Sequence, residues 1–176
     1  MQDILYFLSN NPTALYIAVG LFSLCIGSFL NVVIYRTPKM MQQEWHNECQ
    51  MLLHPEHPII DESKLTLSQP ASTCPKCHST IRWYQNIPVV SWLVLRGKCG
   101  TCQNPISMRY PLIELLTAVC ALVVVAVLGP TLQMLFGLVL TYILIALTFI
   151  DFDTQLLPDR YTLPLAALGL IVNSYA

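Results

Sequence analysis

Charged residues are scarce in this chain of 176 residues: 9 are Lys or Arg and 10 are Asp or Glu, which is 11% of the total. Soluble domains usually carry about a quarter charged residues. The shortage argues against a soluble globular enzyme and, with 55% hydrophobic residues, against a disordered chain. The formal net charge of -1 lacks the basic excess typical of a nucleic-acid-binding protein. The composition therefore points to a membrane protein.

Four apolar runs follow one another along the chain and predict membrane-spanning helices. A run of about 20 residues crosses the hydrocarbon core of a bilayer. Residues 14–35 hold no charge, 111–128 hold only Glu114, 132–150 form the third run and 163–172 begin the fourth. A cleaved signal peptide is the alternative for the first run, although no Lys or Arg precedes it. The pattern predicts an all-α integral membrane protein with about four transmembrane helices.

The basic residues predict the orientation of the helices. Eight of the nine Lys and Arg residues lie from Arg36 to Arg109, and the ninth is Arg160. Cytoplasmic flanks of membrane helices retain Lys and Arg, so this part of the chain is expected in the cytoplasm. Within it, the polar segment 42–71 is predicted to be an irregular loop. The chain then divides into residues 1–13 outside the cytoplasm, helix 1 at 14–35, a cytoplasmic loop at 36–110 and helices 2–4 within 111–176.

Four of the 7 cysteines form two CxxC pairs in the predicted cytoplasmic loop, Cys74 with Cys77 and Cys99 with Cys102. Two such turns can present four sulfurs to one tetrahedral ion, which predicts a Zn²⁺ site. Disulfides or a redox pair are the alternative, and a reducing cytoplasm disfavours stable disulfides. Four protein ligands leave no open position for a water molecule, so we expect the zinc site to be structural.

Acidic residues at the membrane edge are candidates for function, because an ionisable group near a bilayer is costly. Asp151 ends the third run and is the first candidate; a helix-end carboxylate in interfacial water is the alternative. Asp153 and Asp159 are expected in the polar connection beyond the helix. Glu114 lies about one turn inside the second span, where a structural hydrogen bond to a neighbouring helix is favoured over catalysis. Asn31 is expected to let helices approach and hydrogen-bond.

Several motifs together resemble the prepilin leader peptidases of bacterial type IV pilus and type II secretion systems. The resemblance covers essentially the whole chain. Its elements are the two CxxC pairs, GSFLNVVIYR at 27–36, NIP at 86–88 with SW at 91–92, RYPLIE at 109–114, and the segment 151–159, in which LPD follows Asp151.

The resemblance implies a bifunctional enzyme of the bacterial inner membrane, with residues 1–13 periplasmic. Such enzymes are aspartic endopeptidases that remove the leader of prepilins and pseudopilins at the cytoplasmic face. They then methylate the new N-terminal residue with S-adenosylmethionine. Asp151 matches the first catalytic aspartate, seven residues before the proline of LPD.

The second catalytic aspartate of the family lies in a Gly-x-Gly-Asp motif, and none of the 7 glycines forms one. The chain therefore resembles the N-terminal part of such an enzyme, with an incomplete peptidase domain. The expected partners are prepilin substrates and membrane lipid, without nucleic acid. The site for S-adenosylmethionine is not located, because no glycine-rich dinucleotide-type loop is present. A non-catalytic zinc-bearing membrane fragment or pseudoenzyme is the alternative function.

Overall fold

The computed structural model describes residues 11–54, 56, 65–74, 76–81 and 86–174. This part of the chain is helical and contains no strand, only two isolated β-bridges. The prediction of an all-α fold is therefore confirmed. The helices are α1 (Pro12–Leu53), α2 (Val90–Val94), α3 (Arg109–Leu128), α4 (Leu132–Thr154) and α5 (Asp159–Ser174).

Three of these helices, α1, α3 and α4, are long and apolar enough to cross a membrane. They contain 42, 20 and 23 residues. The fourth apolar run, at 163–172, lies within α5, which has 16 described residues. Three of the predicted membrane spans are thus present among the described residues, and the fourth apolar run is helical.

The first helix is much longer than expected. It continues from the predicted end at residue 35 to Leu53, so residues 42–53 are helical and their assignment to an irregular loop was wrong. These residues include Met, Gln, Glu and Leu, which favour helix, and their polarity was mistaken for a loop signal. At 1.5 Å per residue α1 is about 63 Å long, twice the hydrocarbon thickness. About half of its length must therefore extend beyond the hydrocarbon core.

A close approach of α1 and α3 organises the bundle. A Cβ atom added to Gly27 on α1 would lie 2.7 Å from the Cα of Glu114 and 3.2 Å from the Cβ of Thr117, both on α3. Asn31, one turn further along α1, donates from Nδ2 to the carbonyl of Tyr110 at 3.2 Å. The amide of Asn31 therefore hydrogen-bonds between helices as predicted, and the structure adds Gly27 as the residue that lets the two helices meet.

Two apolar clusters fill the space between α1, α3 and α4. The first joins Leu30, Val33, Ile34, Ile113, Ile145, Ala146 and Ile150, and the second joins Leu15, Ala121, Val125, Met134 and Leu138. Both clusters take residues from all three helices, so the three helices form one packed unit.

The tight connection between α3 and α4 follows from local chemistry. Gly129 has a positive φ of 62°, which a residue without a Cβ adopts readily, and it ends α3. Thr131 begins α4 by accepting a hydrogen bond from the N–H of Met134 at 3.2 Å. The predicted break at Gly129 and Pro130 is present.

Polar contacts hold the opposite ends of the helices together. Arg109 at the start of α3 pairs with Asp153 near the end of α4 at 2.6 Å. Arg160 at the start of α5 pairs with Glu44 of α1, also at 2.6 Å. The basic residues that flank these helices therefore lie at one end of the bundle, opposite the Gly129 turn.

The close approach at Gly27 makes a stability prediction. Gly27→Ala should lower the stability of the detergent-solubilised protein by about 1–3 kcal/mol, because the new methyl meets backbone that cannot rotate away. Gly169→Ala is the matched control, since nothing lies within 4 Å of a Cβ there. Both substitutions share the same gain in helix propensity, so thermal unfolding of the pair isolates the packing cost. Equal melting temperatures would contradict the close contact.

Candidate functional site

The four cysteines of the two CxxC pairs form one cluster. Their Sγ atoms all lie within 4.8 Å of one another, and the Sγ atoms of Cys74 and Cys102 are 3.7 Å apart. Four sulfurs at about 2.3 Å from a tetrahedral Zn²⁺ would be separated by about 3.8 Å. Cys74 is buried and the other three are half-buried. The cluster thus fits a tetrahedral zinc site formed by two knuckles.

The two knuckles, whose first cysteines are 25 residues apart, have the same pattern of backbone hydrogen bonds. In each knuckle, the carbonyl of the first Cys accepts a hydrogen bond from the N–H of the residue four positions later. The N–H of the same Cys donates to the carbonyl of the residue five positions later. Each knuckle is closed by an isolated bridge, and the residue after its second Cys has a positive φ. The contacts are Cys74 with His78 and Ser79, and Cys99 with Gln103 and Asn104; the bridges are Thr73 to Thr80 and Lys98 to Pro105.

Backbone N–H groups prepare the cluster for negative charge. The N–H of Cys102, followed by that of Thr101, lowers the pKa of the Cys99 thiol to about 6. The N–H of Asn104 lowers the pKa of Cys102, but desolvation and the three other thiols together raise it to about 11. The backbone N–H groups thus favour the thiolate form of Cys99, which is the form that binds Zn²⁺.

Contacts around Trp92 and Gly97 join the second knuckle to α2. Trp92 donates from Nε1 to the carbonyl of Ile106 at 3.3 Å, and a Cβ on Gly97 would lie 2.8 Å from the Trp92 ring. Gly97 has a φ of 66°, and its carbonyl accepts from the N–H of Ile106 at 2.7 Å. The second knuckle is therefore held against α2 immediately before α3 begins.

Asp151 lies in the last turn of α4, where it is exposed. Its backbone carbonyl accepts from the N–H of Gln155 at 2.7 Å, which closes the helix end. Within the described residues, its carboxylate has no hydrogen bond or ion pair. No partner among the described residues would have to be displaced before this carboxylate meets a ligand, and its catalytic role stays a prediction.

The other acidic residues are engaged differently. Asp153 lies within α4, so its assignment to the connection beyond the helix was wrong; both of its oxygens accept from Arg109, at 2.8 and 2.6 Å. Glu114 is buried and accepts from the N–H of Val89 at 2.7 Å, which agrees with a structural role. Asp159 is the first residue of α5 and is exposed.

Two arginines have partners that the sequence did not reveal. Arg109 was interpreted only as a positive flank, yet it pairs with Asp153, 44 residues away, and stacks over Phe149 at 5.3 Å. Arg36 is 8% exposed and donates to the carbonyls of Thr66 and Pro70 at 2.7 and 2.6 Å. Their position beside apolar runs marked them as interfacial, but no local pattern identifies acceptors so distant in the chain.

Two family models match parts of the chain. The bacterial peptidase A24 N-terminal domain matches residues 21–128, and the type IV leader peptidase family matches residues 138–176. No solved structure matches the chain.

Curated relatives are named prepilin leader peptidase/N-methyltransferase. The protein of Aeromonas hydrophila is 50% identical over 162 residues, 92% of this chain and 56% of its own length. That of Legionella pneumophila is 48% identical over 94% of this chain and 57% of its own. That of Neisseria gonorrhoeae is 52% identical over 93% and 57%. The chain thus spans just over half the length of these relatives, and its apolar helices agree with a multi-pass membrane protein.

The cysteine cluster predicts the metal content of the protein. Purified protein should contain about one zinc per chain, and Cys77→Ser should remove most of it, because a tetrahedral site needs all four ligands. Cys49→Ser is the matched control, since Cys49 is exposed and outside the cluster. Elemental analysis measures the zinc. A metal-free protein with two disulfides in freshly lysed cells would overturn the prediction.

Acidification should release the metal, because protons compete with zinc for the thiolates. The affinity for zinc should decrease as the pH is lowered, because thiols such as Cys102, whose pKa is raised to about 11, take up protons. Below the pKa of Cys99, which is lowered to about 6, one more thiol takes up a proton. The affinity for zinc should then decrease by a further factor of about ten for each pH unit. Competition with a coloured chelator between about pH 5 and 8 measures this. An affinity independent of pH would exclude thiolate ligands.

Proposed function

We propose that this chain, which belongs to the bacterial peptidase A24 N-terminal domain family, forms the metal-bearing part of a membrane aspartic endopeptidase and carries its first catalytic carboxylate. The substrates are prepilins and pseudopilins, whose leader is cleaved at the cytoplasmic face. The enzyme then methylates the new N-terminal residue with S-adenosylmethionine. The relatives' shared name supports both activities.

The observation that carries the proposal is the difference between two aspartates on the same helix turn. Asp153 is paired with Arg109 through both oxygens, whereas the carboxylate of Asp151 is exposed and unpaired within the described residues. A general base must be able to reach water and substrate. Of the two, Asp151 meets this requirement.

Peptide hydrolysis by this class needs two carboxylates. The ionised one takes a proton from water as the water oxygen attacks the scissile carbonyl, and the protonated one donates to that carbonyl oxygen; the C–N bond then breaks and the amine leaves with a proton. Asp151 supplies one carboxylate. Because Asp153 and Glu114 are already hydrogen-bonded, we assign the second to the family's Gly-x-Gly-Asp motif, which this chain lacks.

The zinc cluster has a structural role in this proposal. Cys74, Cys77, Cys99 and Cys102 would hold the ion, and the closed ligand set stabilises the fold of the loop. Methyl transfer moves a methyl group from S-adenosylmethionine to the substrate's N-terminal amine, which loses a proton. The residues that bind this cofactor are not assigned.

The proposed orientation places residues 1–13 in the periplasm and the aqueous part of 36–110 in the cytoplasm of a bacterial inner membrane. It is supported by Arg36, Arg109 and Arg160, which flank one end of the bundle, the end that also holds Asp151. Cytoplasmic flanks retain such residues. A non-catalytic fragment is not favoured, because the curated relatives bear enzyme names.

Leader cleavage in membranes tests the role of Asp151. In a version of the chain extended to include Gly-x-Gly-Asp, Asp151→Asn should abolish cleavage, because an amide of the same size cannot take up the proton of water. Asp159→Asn is the matched control and should retain cleavage, and Asp153→Asn should be mild.

Each variant should remain inserted and bind zinc, which separates chemical loss from misfolding. The 176-residue chain by itself should cleave prepilin poorly or not at all. Robust cleavage by the Asp151→Asn variant, or by the unextended chain, would contradict the assignment of the two carboxylates.

A further inference from the structure

We propose that residues 86–95 form a re-entrant segment that enters the membrane beside α1 and α3, with Val90, Leu93 and Val94 in contact with lipid acyl chains. The sequence predicted the whole of 36–110 as an aqueous loop. The inference concerns how the metal-bearing loop is seated on the bilayer, and it does not depend on the peptidase activity.

The depth of the segment follows from its contacts with the membrane helices. Val89 donates its N–H to Glu114, five residues after the start of α3 at Arg109. At 1.5 Å per residue this contact lies about 8 Å inside the helix end. Asn86 offers its carbonyl to the hydroxyl of Ser28 at 3.5 Å.

Ser28 lies on α1, eight residues before the interfacial Arg36, which corresponds to about 12 Å. Two contacts on two different helices thus place the start of the segment on the membrane side of the basic residues. Since α3 has 20 residues and is about as long as the hydrocarbon core is thick, this depth lies within the bilayer.

Apolar side chains of α2 project from the protein at this position. Val90 is 53% exposed, Leu93 61% and Val94 75%, and no residue of α2 is buried. Lipid-facing residues of α3, such as Leu112 at 56% and Leu115 at 50%, are exposed to a similar degree. The apolar surface of α2 therefore continues the surface that the spanning helices present to acyl chains.

Backbone inside a membrane must be hydrogen-bonded by the protein, and irregular backbone is tolerated only where this is met. The segment meets this condition at its turn. Pro88 has no N–H, and the N–H of Val89 reaches the carboxylate of Glu114 at 2.7 Å. The following N–H groups of Val90, Ser91, Leu93 and Leu95 are bonded to carbonyls within the segment.

Val89 shows why a carboxylate is needed there. Its φ of 59° is unfavourable for a β-branched residue, and the strained turn points its N–H away from the segment's own carbonyls towards α3. Glu114 supplies the acceptor from within the second turn of α3. This assigns the buried glutamate a purpose: it holds the tip of the segment in the membrane.

The segment also returns to the aqueous phase in a recognisable way. Trp92 bonds through its indole N–H to Ile106, and Gly97 reverses the chain against its ring. Arg96 and Lys98 flank this turn, and tryptophan with basic residues is typical of the headgroup region. The candidate metal ligand Cys99 follows directly, so the second knuckle would lie in the aqueous phase beyond the headgroups.

Nitroxide accessibility in liposomes of phosphatidylethanolamine and phosphatidylglycerol tests this placement. A genetically encoded ketone residue carrying the nitroxide is placed at position 93, which leaves the zinc cysteines unlabelled. Apolar oxygen and the polar complex Ni-EDDA are the two relaxing agents. Position 112 on α3 is the lipid control, and position 101 in the exposed part of the second knuckle is the aqueous control.

The label at position 93 should match position 112, with oxygen relaxing it several-fold more strongly than Ni-EDDA. Accessibility to Ni-EDDA equal to that at position 101 would overturn the proposal in favour of an aqueous loop. Shielding from both agents would also overturn it, because the surface would then be covered by protein.

A matched pair of variants tests the tether. Glu114→Ala removes the acceptor for Val89 and should shift the label at position 93 towards Ni-EDDA accessibility. Glu114→Gln keeps a carbonyl acceptor and should leave it near the original depth. Helical circular dichroism and gel filtration confirm that each variant is folded. An unchanged depth in a folded Glu114→Ala protein would contradict the role of Glu114.

Discussion

The close contact between α1 and α3 at Gly27 is the constraint on which the rest of the structure depends. Without a side chain at this position, the backbone of α3 approaches until a Cβ would be 2.7 Å from Glu114. That approach brings Asn31 to the carbonyl of Tyr110 and sets Glu114 opposite Val89. The loop that carries the cysteines is therefore fixed to the membrane helices at both ends, at residues next to α2 and at the start of α3.

Much of the fold was predictable because it follows from local rules. Apolar runs of membrane length correctly predicted three long apolar helices, and Gly129 correctly predicted the turn between α3 and α4. The extension of α1 to Leu53 was missed, because the polar residues of that segment were interpreted as a loop although they form helix. In the structure, Arg160 donates a hydrogen bond to Glu44 in the extended part of α1. The two residues are 116 positions apart, so no local pattern in the sequence predicts this contact.

The candidate site shows the same division. The spacing of the four cysteines predicted their cluster, since each knuckle is a local turn and only the meeting of two knuckles is long-range. Asp151 and Asp153 have identical side chains, and a spacing of two places them on different helix faces. Which one is neutralised depends on Arg109 from another helix, and a single sequence does not contain that pairing.

The central proposal is that the cysteine cluster and the end of α4 share the cytoplasmic side of one bundle. A membrane-impermeant maleimide tests it directly with one cysteine added at a time, by Thr101→Cys, Asp159→Cys or Pro130→Cys, after Cys25, Cys49 and Cys120 are replaced by Ser and with the four clustered cysteines kept. In inverted bacterial vesicles, positions 101 and 159 should react and position 130 should not. In right-side-out cells the pattern should reverse. Reaction of positions 101 and 159 from opposite sides would contradict the account.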